Sequence, residues 1–431
     1  MQRRKKPAVV LWIGVLALWW MVPAAAGQQA EPEPEALTLQ QAESIALENH
    51  PGIRAADERI KVQEAVVGKA KAGYYPTLGA RGTYENRPRP STRAGEQNFY
   101  KTTGDVDWLL TDFGRREGTI RKEEDTLEAR RSARETSTEE VVFMVRRAFF
   151  DYLRARALVR VEQDTVKDRE TLVRQAQGFF DVGTRPKIDV ARAEASLFAA
   201  KAGLIAAQNG VRIAWARLKN AMGVTSFEER SVAAEVHVRP PTLSLEEAVK
   251  AAFESRTELK EFQSRLDAQQ EAIDVAKLGR MPRVRFAGQY GEWWHDERDI
   301  VSSMMVLDIP LFAGFTVDTE IEKNVRDQAV IRAQLEEARQ RIALEVEESY
   351  LNLAEAGERI KANEAQKRSA KENLDLANGR YQVGVGSIIE ITEAQVINSR
   401  AQTDHIRSVY DHKVAEARLA RAMGRGSEFN P

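Results

Sequence analysis

Cysteine is absent from all 431 residues, so disulfides, thiolate metal sites and a lipidated N-terminal cysteine are all excluded. Beyond residue 22 no stretch is apolar for the ~20 residues that a membrane-spanning helix needs. No charge of one sign prevails. Lys plus Arg number 64 against 65 Asp plus Glu, a net charge of -1, which removes any electrostatic case for nucleic acid. There is no glycine-rich phosphate loop with a following lysine, no H-E-x-x-H and no G-x-S-x-G, so neither an ATPase nor a hydrolase is indicated. His50, His237, His295, His405 and His412 are scattered. The last two share a helix face, but two imidazoles without a third ligand read as a packing detail. No catalytic residue, cofactor or resident metal is expected, and energy for any transport must come from a partner.

What is present begins with a targeting segment. Arg3-Arg4-Lys5-Lys6 is a cationic start, Ala8 to Val22 an apolar run, and Ala24-Ala25-Ala26 a cleavage site. Residues 1–26 therefore read as a cleaved export signal. Its removal leaves a charge of about -5 on a mature chain that starts with a mobile segment, 27–36, rich in Glu and Pro.

The mature sequence says nearly everything twice. Leu37-Thr38-Leu39-Gln40-Gln41-Ala42 returns as Leu243-Ser244-Leu245-Glu246-Glu247-Ala248, and the register holds without a gap to Tyr84 and Tyr290. Val182-Gly183 through Met222-Gly223 likewise matches Val383-Gly384 through Met423-Gly424. A period of about 200 residues is a fused duplication, since solenoid repeats run to about 20–50. Duplication suggests pseudo-symmetry and a closed assembly. The units are 37–223 and 243–424, joined by 224–242 with Pro240-Pro241, and 425–431 is a tail.

Each unit has the same order of patterns. A helix starts at a Thr38 or Ser244 N-cap with Gln41 or Glu247 at the capping-box position, and runs to about Ala72 or residue 280. A strand pair follows, within 76–112 and 282–312. Leu78, Ala80, Gly82 and Tyr84 alternate with Thr77, Gly79, Arg81 and Thr83, and Val284, Phe286, Gly288 and Tyr290 with Arg283, Arg285 and Gln289. The strands are separated by loops at Arg87–Gln97 and Glu292–Asp299. Helical patterns then cover 115–180 and 315–380, each about 100 Å long at 1.5 Å per residue. Such helices must pack as coiled coils. A glycine-centred turn and a helix of about 36 residues complete the hairpins 114–223 and 314–424.

Strands of about 11 residues suit tilted crossing of a bilayer. Their apolar faces suit lipid, while Arg81, Lys101, Asp105, Asp107, Arg283 and Arg285 suit water. Four strands cannot close a barrel, and hydrocarbon does not tolerate an open edge, so spanning strands require several chains to share one barrel. Tyr74, Tyr75, Tyr84, Tyr100, Trp108, Trp293 and Trp294, near strand ends, suit interfacial girdles.

The organisation over about 37–424 resembles the outer-membrane factor (TolC-like) family of bacterial export ducts. The motifs are the L-[TS]-L-x-x-A starts, Pro310-Leu311-Phe312-Ala313-Gly314 entering a helix, and the two V-G turns. The resemblance implies a mainly helical fold with a membrane barrel portion. Three chains would form 12 strands in the outer membrane and a helical tunnel through the periplasm. It implies a passive exit duct of a tripartite efflux pump or type I secretion system, whose partners are two further copies, outer-membrane lipid, a periplasmic adaptor and an inner-membrane pump. The implied adaptor-docking tips are Val182, Gly183, Thr184 and Val383, Gly384, Val385. Thr184 and Val385 depart from the common V-G-L. Glu390 and Glu393 match an acidic entrance gate, which in a trimer would form stacked carboxylate rings that attract cations. Tyr381 and Asp189 match two members of a closing clamp. The family's arginine position holds Gly386 here, which leaves Arg185 in the other turn as a substitute. A heavy-metal efflux duct and a non-conducting envelope scaffold are the alternatives.

Overall fold

The computed structural model describes residues 36–88, 96–229, 232, 243–294 and 298–426. The signal 1–26, most of the segment 27–36, most of the connector 224–242 and most of the tail lie outside the described residues.

The first unit runs α1 (Leu39–Asn49), α2 (Pro51–Ala72), β1 (Thr77–Pro88), β2 (Glu96–Thr111), α3 (Arg115–Asp181) and α4 (Lys187–Ala221). The second repeats it as α5 (Leu245–Ser255), α6 (Thr257–Lys277), β3 (Arg283–Trp293), β4 (Arg298–Asp308), α7 (Thr316–Gln382) and α8 (Ile388–Ala422), with one 3-10 turn at Leu278–Arg280. Both capping boxes form, at Thr38–Gln41 and Ser244–Glu247.

The single helix expected over 38–72 is two, and so is the one expected over 244–280. His50 takes an extended conformation, because Pro51 disfavours helical geometry in the residue before it and has no N–H to give. His50 Nδ1 accepts the Gly52 N–H at 3.1 Å and so caps α2. Arg256, at the matching position, breaks the helix without a proline. Gly223 and Gly424, which end α4 and α8, occupy these breaks. A Cβ on Gly223 would lie 2.6 Å from His50 Cα, and one on Gly424 3.1 Å from Arg256 N. Close packing of a glycine is what the two breaks share.

The strands form one antiparallel sheet in the order β1-β2-β3-β4, with a register shift between Leu109 and Thr111. They reach further into the expected loops, to Pro88 and back to Glu96. The register sorts side chains as the alternation requires. Leu78, Val106, Gly288 and Ser303 make one cross-strand row, and Ala80, Gly104, Tyr290 and Val301 the next. The opposite face carries Asp107, Asp105, Lys101 and Arg285.

Helices α3 and α7 span 67 residues each and pair with α4 and α8 of 35. Three apolar clusters hold the helices. One, around Phe149, Phe150, Tyr152 and Trp215, joins α1, α3 and α4. A second joins α5, α7 and α8 around Ile342, Val346 and Leu353. A third, near the turns, mixes the units through Leu172, Val190, Leu374, Tyr381 and Ile391. A fully buried side chain of this size contributes roughly 1.5–3 kcal/mol relative to exposure.

Candidate functional site at the hairpin turns

The two turns lie side by side at one end of the helices. In each, glycine takes a left-handed conformation that costs it little, Gly183 with φ 73° and Gly384 with φ 81°. The following N–H groups satisfy the last helical carbonyls: Thr184 N donates to Phe179 O at 2.9 Å, and Gly386 N to Arg380 O at 2.8 Å. Val182, Val383 and Val385 are left exposed. Thr184 closes its own turn through Oγ1, which donates to Phe179 O at 2.8 Å.

Arg185 ties the turns together. Its Nη2 donates to the carbonyls of Gly384 at 2.8 Å and Gly386 at 2.6 Å, and its guanidinium lies 5.5 Å from the centre of the Tyr381 ring. Gly386 could not supply this arginine itself, since a Cβ there would lie 2.9 Å from Tyr381 N. Tyr381 is fully buried, with Phe179 edge-on at 5.6 Å. Its hydroxyl pKa is raised, chiefly by burial and then by the Asp189 charge, against which Arg185 acts. Asp189 is buried in the first turn of α4. The Tyr381 hydroxyl makes no hydrogen bond to the described residues. The structure thus brings Tyr381, Asp189 and Arg185 together, without a direct Tyr–Asp bond.

Glu390 and Glu393 fall in the first turn and a half of α8. Ser387 Oγ caps that helix by accepting from Glu390 N at 3.2 Å. Glu390 does not stand free: Arg380 Nε pairs with it at 2.9 Å. Glu393 is exposed. Two residues that the sequence did not single out also belong here. Arg380 is one, its pairing across the turn set by tertiary fold. Arg169 of α3 is the other, buried and donating to the Gln395 side chain of α8. Burial draws its pKa down. No motif marks either.

At the far end, Tyr75, Tyr84, Tyr100, Trp108 and Trp294 are exposed on or beside the sheet. Tyr74 anchors the junction with the helices: its hydroxyl donates to Glu117 at 3.0 Å, and Arg116 lies 3.8 Å from its ring centre. Trp108 Nε1 donates to Tyr74 O at 2.9 Å. Trp293 departs from the group. Its register partner is Lys101, whose Nζ is 5.9 Å from the Trp293 ring, so it shares the charged face. Trp294, one residue past the end of β3, instead donates through Nε1 to Thr102 Oγ1 at 3.3 Å.

Among the described residues no helix is long and apolar enough to cross a membrane, and no group of three acidic or histidine side chains could hold a metal ion.

Paired long helical hairpins on a four-stranded sheet with one charged and one apolar face define a class. The chain belongs to the outer membrane efflux protein family, whose model matches residues 43–224 and 248–425. The family is one of TolC-like channel proteins of the outer membrane and not of enzymes. Similar relatives are the protein CyaE of Bordetella pertussis, 27% identical over 86% of this chain and 80% of its own, and the outer membrane efflux protein BepC of Brucella suis, 21% identical over 88% and 84%. The fold matches the crystal structure of the Campylobacter jejuni CmeC outer membrane channel with a TM-score of 0.78, at 14% identity, over 93% of this chain and 90% of that one.

Proposed function

We propose that three copies of this chain close a twelve-stranded barrel in the outer membrane, continued by a tunnel of their long helices, and that the assembly is a passive exit duct. The carrying observation is the sheet. Among the described residues it has four strands, its outer members β1 and β4 each keep one unpaired edge, and exposed apolar side chains stand on one face (Leu78 at 78%, Val301 at 75%, Met305 at 70%) against charges on the other. In hydrocarbon such edges must pair with another chain. The charged face would then line a water-filled lumen. Residues 1–26 would direct export.

The turns are the entrance in this reading. Val182, Gly183, Thr184, Val383, Gly384 and Val385 would dock a periplasmic adaptor, which links the duct to an inner-membrane pump that supplies the energy. Arg185, Tyr381 and Asp189 would hold the two hairpins of each chain together, and Glu390 and Glu393 would line the constriction. Arg380 pairs with Glu390 at 2.9 Å and offsets part of its charge, so Glu393 would carry most of the cation attraction. A wide lumen selects poorly, which leaves the choice between efflux pump and type I secretion system to the inner-membrane partner. Within the family a heavy-metal cation duct is the nearest alternative.

The test is the protein mass of the detergent-solubilised chain, followed by single-channel recording. A trimer with raised conductance in Arg185→Ala and Asp189→Asn supports both duct and clamp. A trimer whose conductance those variants leave unchanged removes the clamp. A stable monomer removes the duct and favours a non-conducting scaffold.

A further inference from the structure

The return helices α4 and α8 differ along one heptad line. In α4 it reads Val190, Leu197, Leu204, Val211, Leu218. In α8, at the matching positions, it reads Ile391, Asn398, His405, His412, Leu419. The ends are apolar in both, and only the middle has turned polar. Asn398 is 6% exposed and His412 1%, and His405 between them is half-buried. Asn398 Oδ1, His405 Nδ1 and His412 Nδ1 are all buried without a hydrogen-bond partner in the described chain. A polar group buried without a partner costs stability that an aliphatic side chain would not. Gly357 of α7 lies against the His412 ring, its ideal Cβ 4.0 Å from Cδ2.

The seam faces both long helices. Lys367 and Glu364 of α7 bear on His405. Lys413 and Glu416, paired at 2.9 Å, bear on His412 within α8. Beside His412, Asp411 is held by Arg154 of α3 at 2.9 Å and Arg359 of α7 at 3.2 Å. Arg160 of α3 bears on the nearby Tyr410. At the Asn398 end a polar cleft of 460 Å³ opens between Asp164 and Asp168 of α3 and Lys371 and Asp375 of α7.

We infer that Asn398, His405 and His412 form a proton-responsive release: neutral imidazoles keep α8 packed against α3 and α7, and charging them loosens it. Burial is the main cause that lowers the pKa of both histidines; at His405 Lys367 adds to it against the weaker Glu364, while at His412 Glu416 opposes it more than Lys413 adds. The sign follows. A loosened α8 takes up protons more readily than a packed one. The packing is therefore at full strength above the ordinary histidine value of 6.5 and weakens as pH falls below it. Each ring has one lysine and one carboxylate beside it, so burial supplies most of the cost of a new positive charge. The release does not depend on the duct reading; only its effect on conductance would.

Backbone hydrogen exchange of the full detergent-solubilised chain tests it, at about pH 7.5 and 5.5 after correction for intrinsic rates, with α4 as internal reference. Residues 395–415 should exchange about fivefold faster at the lower pH, with 194–214 unchanged. His405→Gln/His412→Gln keeps the seam polar but not titratable, and should abolish the difference; His405→Leu/His412→Val, which installs the α4 residues, should do the same. An equal response of both helices, no response, or a response that survives the glutamine variant overturns the inference. Conductance is read separately, so loss of the duct reading would leave this result standing.

Discussion

The two halves of the chain keep the same backbone devices and pack differently around them. Gln63 of α2 donates to the carbonyl and side chain of Glu123, at 3.2 and 2.8 Å, and Gln269 of α6 does the same to Asn324, at 2.9 and 3.1 Å. The capping boxes, the breaks at His50 and Arg256 and the glycines that sit in them also correspond. Around this frame the first half builds an aromatic core in which Tyr152 and Trp215 rings lie 5.2 Å apart. At the position of Trp215 the second half has Glu416, which pairs with a buried Lys413. It also holds an ionic network: Arg256 with Glu258 at 2.7 Å and Glu345 at 3.0 Å, and Arg421 with Glu345 at 2.7 Å. Arg421 also reaches Glu140 of the first half at 2.5 Å. Elements that set chain direction tolerate little change. Side chains that fill space can be exchanged as long as the filling is complete.

That contrast can be broken most severely at Trp215. Trp215→Ala should destabilise the first half by about 3–5 kcal/mol, the range for emptying a large aromatic from a core. Chemical denaturation followed by near-ultraviolet circular dichroism reads this, and a loss below about 1 kcal/mol would deny the cluster its role. Removing a charge from the second core differs in kind. Arg256→Ala leaves Glu258 without its cation and Glu345 with Arg421 alone, at a cost of about 3 kcal/mol. Arg256→Met, which fills the space, should cost more than Glu345→Gln with Arg256 kept, because the carboxylates then lose their shared cation.

The glycines sharpen the comparison. Gly223→Ala should cost more than Gly424→Ala: both have positive φ, at 72° and 68°, but only the first meets backbone at 2.6 Å. About 3 kcal/mol against about 1–2 is expected, and thermal midpoints of the two variants measured together would show it. Equal midpoints would mean that the breaks relax. The caps give the smallest effect, about 1 kcal/mol for Thr38→Ala or Ser244→Ala. Ser244→Ala carries a pH signature. The Ser244 backbone N–H and then its hydroxyl donate to Glu247 and lower its pKa; alanine keeps the first and removes the second, so the hydroxyl's share is present above the ordinary value of 4.5 and lost as pH falls through the lowered one. Thr38, whose partner Gln41 does not titrate, should show no such loss in an acid titration of the two variants.

Much of this was legible in one sequence because the signals are local and occur twice. Each long hairpin was placed to within a residue or two by apolar spacing and a V-G turn, and the faces of the sheet by alternation alone. The Arg256 break was not, since no proline marks it and the glycine that packs into it lies some 170 residues away. Trp293 was grouped by its proximity to a strand end and not by its parity. At the turns, Arg185 was a candidate from its position, but its reach to the Gly384 and Gly386 carbonyls depends on how two hairpins lie side by side. Arg380 and Arg169 carry no pattern at all.

The sequence by itself determined the elements, their order, their duplication and the sidedness of each strand, because those follow from periodicity, caps and turn residues that act within a few positions. Only the tertiary structure decided which charges are paired, which polar atoms on α8 are buried without partners, and where a glycine packs into a helix break. These depend on distances between residues remote in sequence, which no local pattern encodes.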